Sequence, residues 1–397
     1  MMLAIIGILC SAVLSESLVF ESQCTRATTC KDCSALNNRE SEAKCGWCPA
    51  ERKCITKSSS PLAATSVCKT ENLWISLDWC TDNFEPQFNQ TLSQSLVKFA
   101  AAAYSDQPEL CAAELWPNYR IVAKLETPPD PSGNTNVAFL AESEGTHELV
   151  ISFRGTEVAT ELLVESFTAG TMWITHKLGG AVNSYFYFGY ENLAPDMRSL
   201  VSDFVKKYPD NYKVYVTGHS LGGALGALAA LDLVSTGLVK PQRLTLVTYG
   251  EPRVGNNKLA LAIDGYVPDS WRVVNGNDII PLAPPCLHYP LDPRKCLSTA
   301  LSPYHHGTEV WFQNGMNDTY VGSYKVCKGT PKNEDESCAN SEAPSCILKA
   351  PKCANDHLYY YNFNLGKYGT TNCKDYEVSD PSKPYPTLQK LSWFDWF

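Results

Sequence analysis

Residues 214–224 read Val-Tyr-Val-Thr-Gly-His-Ser-Leu-Gly-Gly-Ala. A β-rich run enters Gly218-x-Ser220-x-Gly222 and leaves into an Ala/Leu-rich, helix-forming run. This is the pattern of a nucleophile elbow. At so tight a turn, Cβ atoms on Gly218 and Gly222 would meet neighbouring backbone, and the turn lifts the Ser220 hydroxyl clear of the sheet. The start of the following helix aims N–H groups and positive potential at a developing oxyanion. The backbone N–H of Leu221, next after the nucleophile, is therefore expected as one oxyanion donor. A phosphate-binding loop is excluded, because no Lys-Ser/Thr pair follows the glycines.

A serine hydroxyl needs a base to take its proton, and the base needs a carboxylate to hold its tautomer. With this elbow the chain order is Ser, then acid, then His. Of seven histidines, His147 and His176 precede Ser220, and His219 sits inside the elbow and is expected to pack beneath it. His288, His305, His306 and His357 remain. Among the acids, Asp232 falls on the elbow's own helix and is expected to be solvated. Asp278 ends the apolar run Trp271-Arg-Val-Val, in Asn275-Gly-Asn-Asp-Ile-Ile-Pro281. Active-site residues gather at the carboxyl ends of α/β strands, which favours Asp278.

These residues need a scaffold. Apolar, β-branched runs at Glu148–Phe153, Tyr212–Thr217, Arg243–Tyr249 and Trp271–Val274 predict strands. Gln90–Tyr104, Asn192–Tyr208 and Leu221–Ser235 predict helices. Strands alternating with helices argue for an α/β sheet covered on both faces. The stretch from Cys327 to Cys373 reads as a disulfide-tied, loop-like wrap. The chain has 397 residues, 44% of them hydrophobic, which allows a sizeable core and two or three domains. A formal net charge of −9 disfavours nucleic acid as a partner.

The first 14 residues form an apolar run too short to span a bilayer. They predict a signal peptide over residues 1–17, with cleavage near Ser15–Ser22, and a secreted chain without an integral span. Cys10 leaves with it, and 16 of the 17 cysteines remain, an even number suited to an oxidising compartment. Asn89 and Asn317 begin N-x-Thr sequons. Eight cysteines crowd into residues 24–80, where so little apolar surface is available that disulfides must hold the fold. Zinc ligation by Cys30, Cys33, Cys45 and Cys48 is the competing reading. The cysteine order, with Cys45-Gly46-Trp47-Cys48 and Trp74, resembles the plexin-semaphorin-integrin (PSI) domain. That resemblance implies four internal bridges and no catalysis, and leaves the module's own partner unspecified.

Residues from about 95 to 362 resemble the class 3, fungal-type lipase family. The matching blocks are Ser152-Phe-Arg-Gly-Thr156, Gly218–Ala224, Tyr249-Gly-Glu-Pro-Arg-Val-Gly255, Asn277-Asp-Ile-Ile-Pro281 and Tyr304-His-His-Gly-Thr-Glu-Val-Trp311. The resemblance implies an α/β-hydrolase domain over 84–365, with a C-terminal extension at 366–397. It implies Ser220 as nucleophile, Asp278 as acid and Thr156 as the second oxyanion donor beside Leu221. For the base, counting back from Glu309 and Trp311 gives His305, with His306 one residue away as the alternative. His357, in Asp356-His-Leu-Tyr-Tyr360, matches a His-Leu-x-Tyr element assigned a structural role. Residues 157–167 occupy the family's lid position, and Val158, Leu162, Leu163 and Phe167 form one helical stripe. Cys286–Pro303 is an insertion expected near the site mouth, with Cys286 and Cys296 closing a loop.

The implied activity is hydrolysis of lipid esters, foremost triacylglycerol, through an acyl-enzyme, with no metal or organic cofactor. The partner is then a lipid ester at an oil–water or membrane interface. Phospholipase A1, diacylglycerol lipase and feruloyl-type esterase activities use the same triad. A different class, a catalytically dead PSI-bearing adhesion protein, is disfavoured by the intact catalytic set. Cys111 is expected to bridge to the Cys327–Cys373 tail.

Overall fold

The computed structural model describes residues 24–37, 45–56, 73–74, 79–129, 135–156, 172–316, 323–328, 333–342 and 350–374. The expected signal peptide, the lid stripe at 157–167, Asn317 and the C-terminal extension beyond residue 374 lie outside them. The central sheet has eight strands in chain order: β1 Arg120–Glu126, β2 Val137–Ser143, β3 Glu148–Phe153, β4 Lys213–His219, β5 Leu244–Tyr249, β6 Ser270–Asn275, β7 Thr308–Phe312 and β8 Lys325–Val326. β3 to β7 run parallel, while β1, β2 and β8 add antiparallel edges.

Helices cover both faces, as parallel strands require. On one face pack α3 Ser184–Glu191, α4 Ala194–Lys207, α5 Leu221–Ser235 and α6 Asn257–Tyr266; on the other pack α1 Gln90–Ala102, α2 Pro108–Leu115 and α8 Leu365–Thr370. α7 Ala350–Leu358 runs into the segment that reaches the site. The pleat sorts neighbours between two cores. Leu149, Ile151 and Phe153 join the α5 face, and Val150 joins the α1 face. Leu244 and Leu246 face α5, whereas Val247 and Tyr249 face α1. Every residue of α5 is buried, which its Ala, Gly and Leu content permits. Asn89 caps the start of α1, its side chain accepting from the Leu92 N–H at 3.0 Å.

The predicted strands and helices are present within a few residues. Two features differ from expectation. The 327–373 wrap carries two helices, α7 and α8. Asp232 is buried rather than solvated. It binds Arg198 at 2.6 Å, Lys177 at 3.0 Å and the Tyr190 hydroxyl at 2.8 Å, so it ties α5 to α3 and α4.

Disulfides join Cys24–Cys45, Cys30–Cys80 and Cys33–Cys54 in the N-terminal module, and Cys48 is also disulfide-bonded. These bonds exclude the zinc reading, since the thiols are consumed. Cys111–Cys373, Cys286–Cys296 and Cys327–Cys338 follow in the larger domain. Disulfides at this density form in an oxidising compartment. Among the described residues no helix is long and apolar enough to cross a membrane.

The module docks on the strand entry side of the sheet. Trp74 meets the Tyr266 ring edge-on at 5.8 Å, and Gln242 Nε2 donates to the Cys80 carbonyl at 2.7 Å. A Cβ on Gly265 would lie 2.1 Å from the Pro49 carbonyl oxygen, so glycine permits this close approach. Gln242 and Tyr266 lie a few residues before β5 and β6, whose far ends carry the residues described next.

Candidate active site

The elbow has the expected geometry. Ser220 sits at φ 58°, ψ −127° between β4 and α5, in a region that disfavours side chains. A Cβ on Gly218 would come 2.2 Å from the Gly222 carbonyl oxygen, and one on Gly222 would come 2.2 Å from the Phe153 carbonyl oxygen. Both positions therefore admit only glycine. The Ser220 amide is held by the Tyr249 carbonyl at 2.9 Å, and its Oγ is buried with no hydrogen-bond partner among the described residues.

Asp278 lies just past β6, on a turn closed by its own N–H to the Asn275 carbonyl at 3.0 Å. Its Oδ1 accepts from the Ile280 N–H at 2.9 Å. Its Oδ2 accepts from the Tyr360 hydroxyl at 2.5 Å and from Nδ1 of His357 at 3.0 Å. A carboxylate oxygen cannot donate here, so His357 Nδ1 carries the proton. The other nitrogen, Nε2, is then the lone-pair atom, and it is buried without a partner among the described residues.

His305 is not at this carboxylate. Its Nε2 donates to the Pro281 carbonyl at 2.7 Å, and its amide donates to Glu334 at 3.0 Å. Burial first, then the Arg272 and Arg253 charges, push its pKa well below the ordinary histidine value. The expectation that His305 pairs with Asp278 is corrected: the structure gives that carboxylate to His357. His306 is engaged elsewhere as well, with Glu251 at 2.6 Å and Ser270 at 3.2 Å.

What brings His357 to the site is a set of contacts distant in sequence. Asn275 Nδ2 donates to the Asp356 and Tyr359 carbonyls at 3.0 and 2.7 Å. Asn277 N–H donates to Asp356 Oδ2 at 2.8 Å. The β6 exit and the 356–360 segment are thereby stapled together. Gly250, after β5, closes the arrangement from below. Its φ is +57°, and a Cβ there would lie 2.5 Å from Asp278 Oδ2 and 2.8 Å from His357 Nδ1.

His219 packs under the elbow, as expected, and its ring stacks on that of His357 at 4.4 Å. Its Nε2 donates to the His357 carbonyl at 2.8 Å, so Nδ1 accepts from the Tyr104 hydroxyl at 2.8 Å. Burial and the neighbouring His357 ring hold its pKa well below the usual range, so it stays neutral. Tyr360 is held in its protonated form by burial and by the Asp278 charge. Sequence reasoning missed His357 as the partner of Asp278, and with it Tyr360. The available signal was a tyrosine three residues after a histidine in Asp356-His-Leu-Tyr-Tyr360.

The loop after β3 lies against the elbow. A Cβ on Gly155 would meet the Tyr104 hydroxyl at 2.0 Å and the His219 carbonyl oxygen at 2.7 Å. Thr156 follows, and its Oγ1 is buried with no partner among the described residues. Leu221 is the first residue of α5, so its N–H has no intrahelical acceptor, whereas the Gly223 and Ala224 N–H groups bond the Ser220 carbonyl.

The family model described as Lipase (class 3) matches residues 150–288, a range that holds Ser220 and Asp278 but ends before His357. A Caenorhabditis elegans protein, Lipase ZK262.3, is 32% identical over 317 residues, covering 76% of this chain and 85% of that protein. The solved lipase from Rhizopus microsporus var. chinensis is 26% identical with a TM-score of 0.57, covering 70% of this chain and 88% of that one. A further structure, described as a triacylglycerol lipase whose catalytic centre is a serine protease triad, is 26% identical with a TM-score of 0.56 and covers 71% and 98% of the two chains. The chain spans about half the length of two fungal relatives, 51% of the Rhizopus niveus lipase and 56% of the Rhizomucor miehei lipase. The sheet, the elbow and the extent of these matches together place the chain in the class 3 lipase family, serine hydrolases of carboxylic esters with the α/β-hydrolase fold.

Proposed function

We propose that this protein is a secreted lipase that cleaves triacylglycerol at a lipid–water interface, with Ser220, His357 and Asp278 as its triad. The observation that carries the triad is a pairing of bonds made and bonds missing. His357 Nδ1 is committed to Asp278, while His357 Nε2 and Ser220 Oγ are both buried and lack partners among the described residues. Those two atoms are the ones between which a proton must pass.

On this reading His357 Nε2 takes the Ser220 proton as Oγ attacks the ester carbonyl. The carbonyl oxygen becomes an oxyanion held by the Leu221 N–H and by Thr156, through its N–H and hydroxyl. Collapse expels the alcohol, which takes its proton from His357. Water then attacks the acyl-Ser220 ester by the same route and releases the fatty acid. Asp278 holds the Nδ1–H tautomer and stabilises the imidazolium. Secretion is supported by the disulfides, by the apolar run at the first residues and by the sequon at Asn89, which is exposed.

The test compares an emulsified long-chain triglyceride with a soluble short-chain ester, for the parent chain, Ser220→Ala, His357→Ala and His305→Ala. The reading requires turnover of both substrates by the parent, faster on the emulsion, and its loss in the first two variants. Cleavage of the soluble ester alone would remove the triacylglycerol assignment and keep the triad.

A further inference from the structure

Large apolar side chains exposed at the surface are concentrated rather than scattered. Ten are exposed among the described residues, and six of them fall in two short segments: Met172 and Trp173, and Leu287, Tyr289, Leu291 and Leu301. Leu291 is 99% exposed, Leu301 84% and Met172 69%. Isolated exposed leucines need no explanation, but a cluster does.

The second segment is the insertion after Asp278. His288–Tyr289 pairs antiparallel with Asp292–Cys296, and Tyr289 faces Asp292 across the turn, so Pro290 and Leu291 form the tip of a hairpin. Leucine has no conformational advantage in such a turn, where Gly, Asn and Asp are the favoured residues. The Cys286–Cys296 disulfide closes the hairpin at its base. The Leu287 amide donates to Ser302 Oγ at 3.0 Å, and Asn256 Nδ2 donates to the Ala300 carbonyl at 2.7 Å. The hairpin is therefore held to the domain while its apolar tip projects into solvent.

Both segments flank one small sheet. A small four-stranded sheet runs in the order Pro303–Tyr304, Gly255–Asn256, Ala181–Asn183, Trp173–Thr175. Its first strand ends the insertion, and its last begins with Trp173. At about 4.8 Å between strands, the sheet sets these edges roughly 15 Å apart. One edge follows Asp278 in the chain, and the other follows the segment after Thr156.

Charge selects the kind of surface. Arg294 is paired bidentately with Asp292 at 2.9 and 3.1 Å, and Lys295 lies 3.7 Å from Glu336 and over the Tyr289 ring. The hairpin offers no unpaired basic cluster, and the whole chain carries −9. Nothing here draws it to anionic lipid. We infer that the Cys286–Cys296 hairpin, with Leu291 at its tip and Leu301 at its base, is an anchor that inserts into an uncharged lipid surface and brings the active-site mouth against it. This rests on the lipase reading and adds to it the element that makes contact.

The test uses the full chain with Ser220→Ala, so that lipid is bound and not consumed. Flotation with triolein droplets and with phosphatidylcholine vesicles, plain or doped with phosphatidylserine, measures partition. Leu291→Ser combined with Leu301→Ser is expected to lower partition on the order of ten-fold. In the Ser220-containing chain, the same pair of changes leaves turnover of a soluble short-chain ester unchanged, which also reports folding. Equal partition of parent and variant overturns the anchor and leaves the lipase reading intact. Binding only to phosphatidylserine-doped vesicles overturns the uncharged surface. A dimer in sedimentation that the two changes dissolve assigns the patch to a second copy instead. A parent chain that cleaves the soluble ester but neither floats with triolein nor hydrolyses it removes the lipase reading along with the anchor.

Discussion

The Tyr360 hydroxyl donates to the same Asp278 oxygen, Oδ2, that receives Nδ1–H of His357, at 2.5 and 3.0 Å. The two donors come from one short segment, three residues apart, and the acceptor comes from the end of β6. Tyr360 thus fixes the carboxylate in the orientation that His357 requires. Tyr360→Phe removes this bond and keeps the ring. A hydrogen bond to a charged acceptor contributes about 1.5–3 kcal/mol, so a loss of that size is expected in chemical denaturation. Turnover of a soluble ester should fall with KM little changed, because the carboxylate holds the base and does not touch substrate.

The two histidine candidates separate cleanly. His357→Ala removes the proposed base and is expected to lower kcat by about 10⁴-fold or more, in line with losses at other triads. His305→Ala leaves the Asp278 pairing in place. It removes a buried ring bonded to the Pro281 carbonyl, so its effect is expected mainly in thermal stability. A His305→Ala variant as inactive as His357→Ala, yet as stable as the parent, would contradict the assignment.

Gly250→Ala is a one-carbon change aimed at the dyad. The new Cβ would stand 2.5 Å from Asp278 Oδ2 and 2.8 Å from His357 Nδ1, on a backbone at φ +57°. It is expected to abolish most of the activity while the far-ultraviolet circular dichroism persists. Retention of more than about a tenth of parental turnover would show that the dyad can shift to accommodate it.

Acid stability should reflect histidines that the fold keeps neutral. Burial, then the neighbouring Lys177, holds His176 down to about 4 from an ordinary 6.5, and its Nδ1 accepts the Leu178 N–H at 3.2 Å. Below pH 6.5 the unfolded chain binds this proton and the folded chain does not until about 4, so stability is lost as pH falls through that window. The contribution of this one group is on the order of 3 kcal/mol. His219 and His305, also pushed down, act in the same direction. Denaturant midpoints measured between these pH values should fall on acidification, and His176→Asn should flatten the slope.

Cys111–Cys373 closes 262 residues, joining α2 to the segment just after α8. That bond pins the stretch of chain that follows His357 and Tyr360. Replacing both cysteines by serine is expected to lower stability by about 2–4 kcal/mol. Soluble-ester turnover at low temperature should survive, since Asn275 and Asn277 hold the 356–360 segment independently.

The elbow was readable in the sequence because its constraints are local. Gly218, Ser220 and Gly222 are set by contacts within a few residues and by the end of β3. The strand–helix alternation and the place of Asp278 at a strand end were legible for the same reason. So was Cys286–Cys296, ten residues apart. The base was not. His305, His306 and His357 all follow the acid in the chain, and nothing within a few residues of any of them says which reaches it. That choice belonged to the tertiary fold. Asn275 and Asn277 bind the backbone and side chain of a segment some eighty residues later, while Pro281 takes the ring of His305. Chain order states when a residue arrives. Only the closure of distant hydrogen bonds decides which imidazole meets the carboxylate.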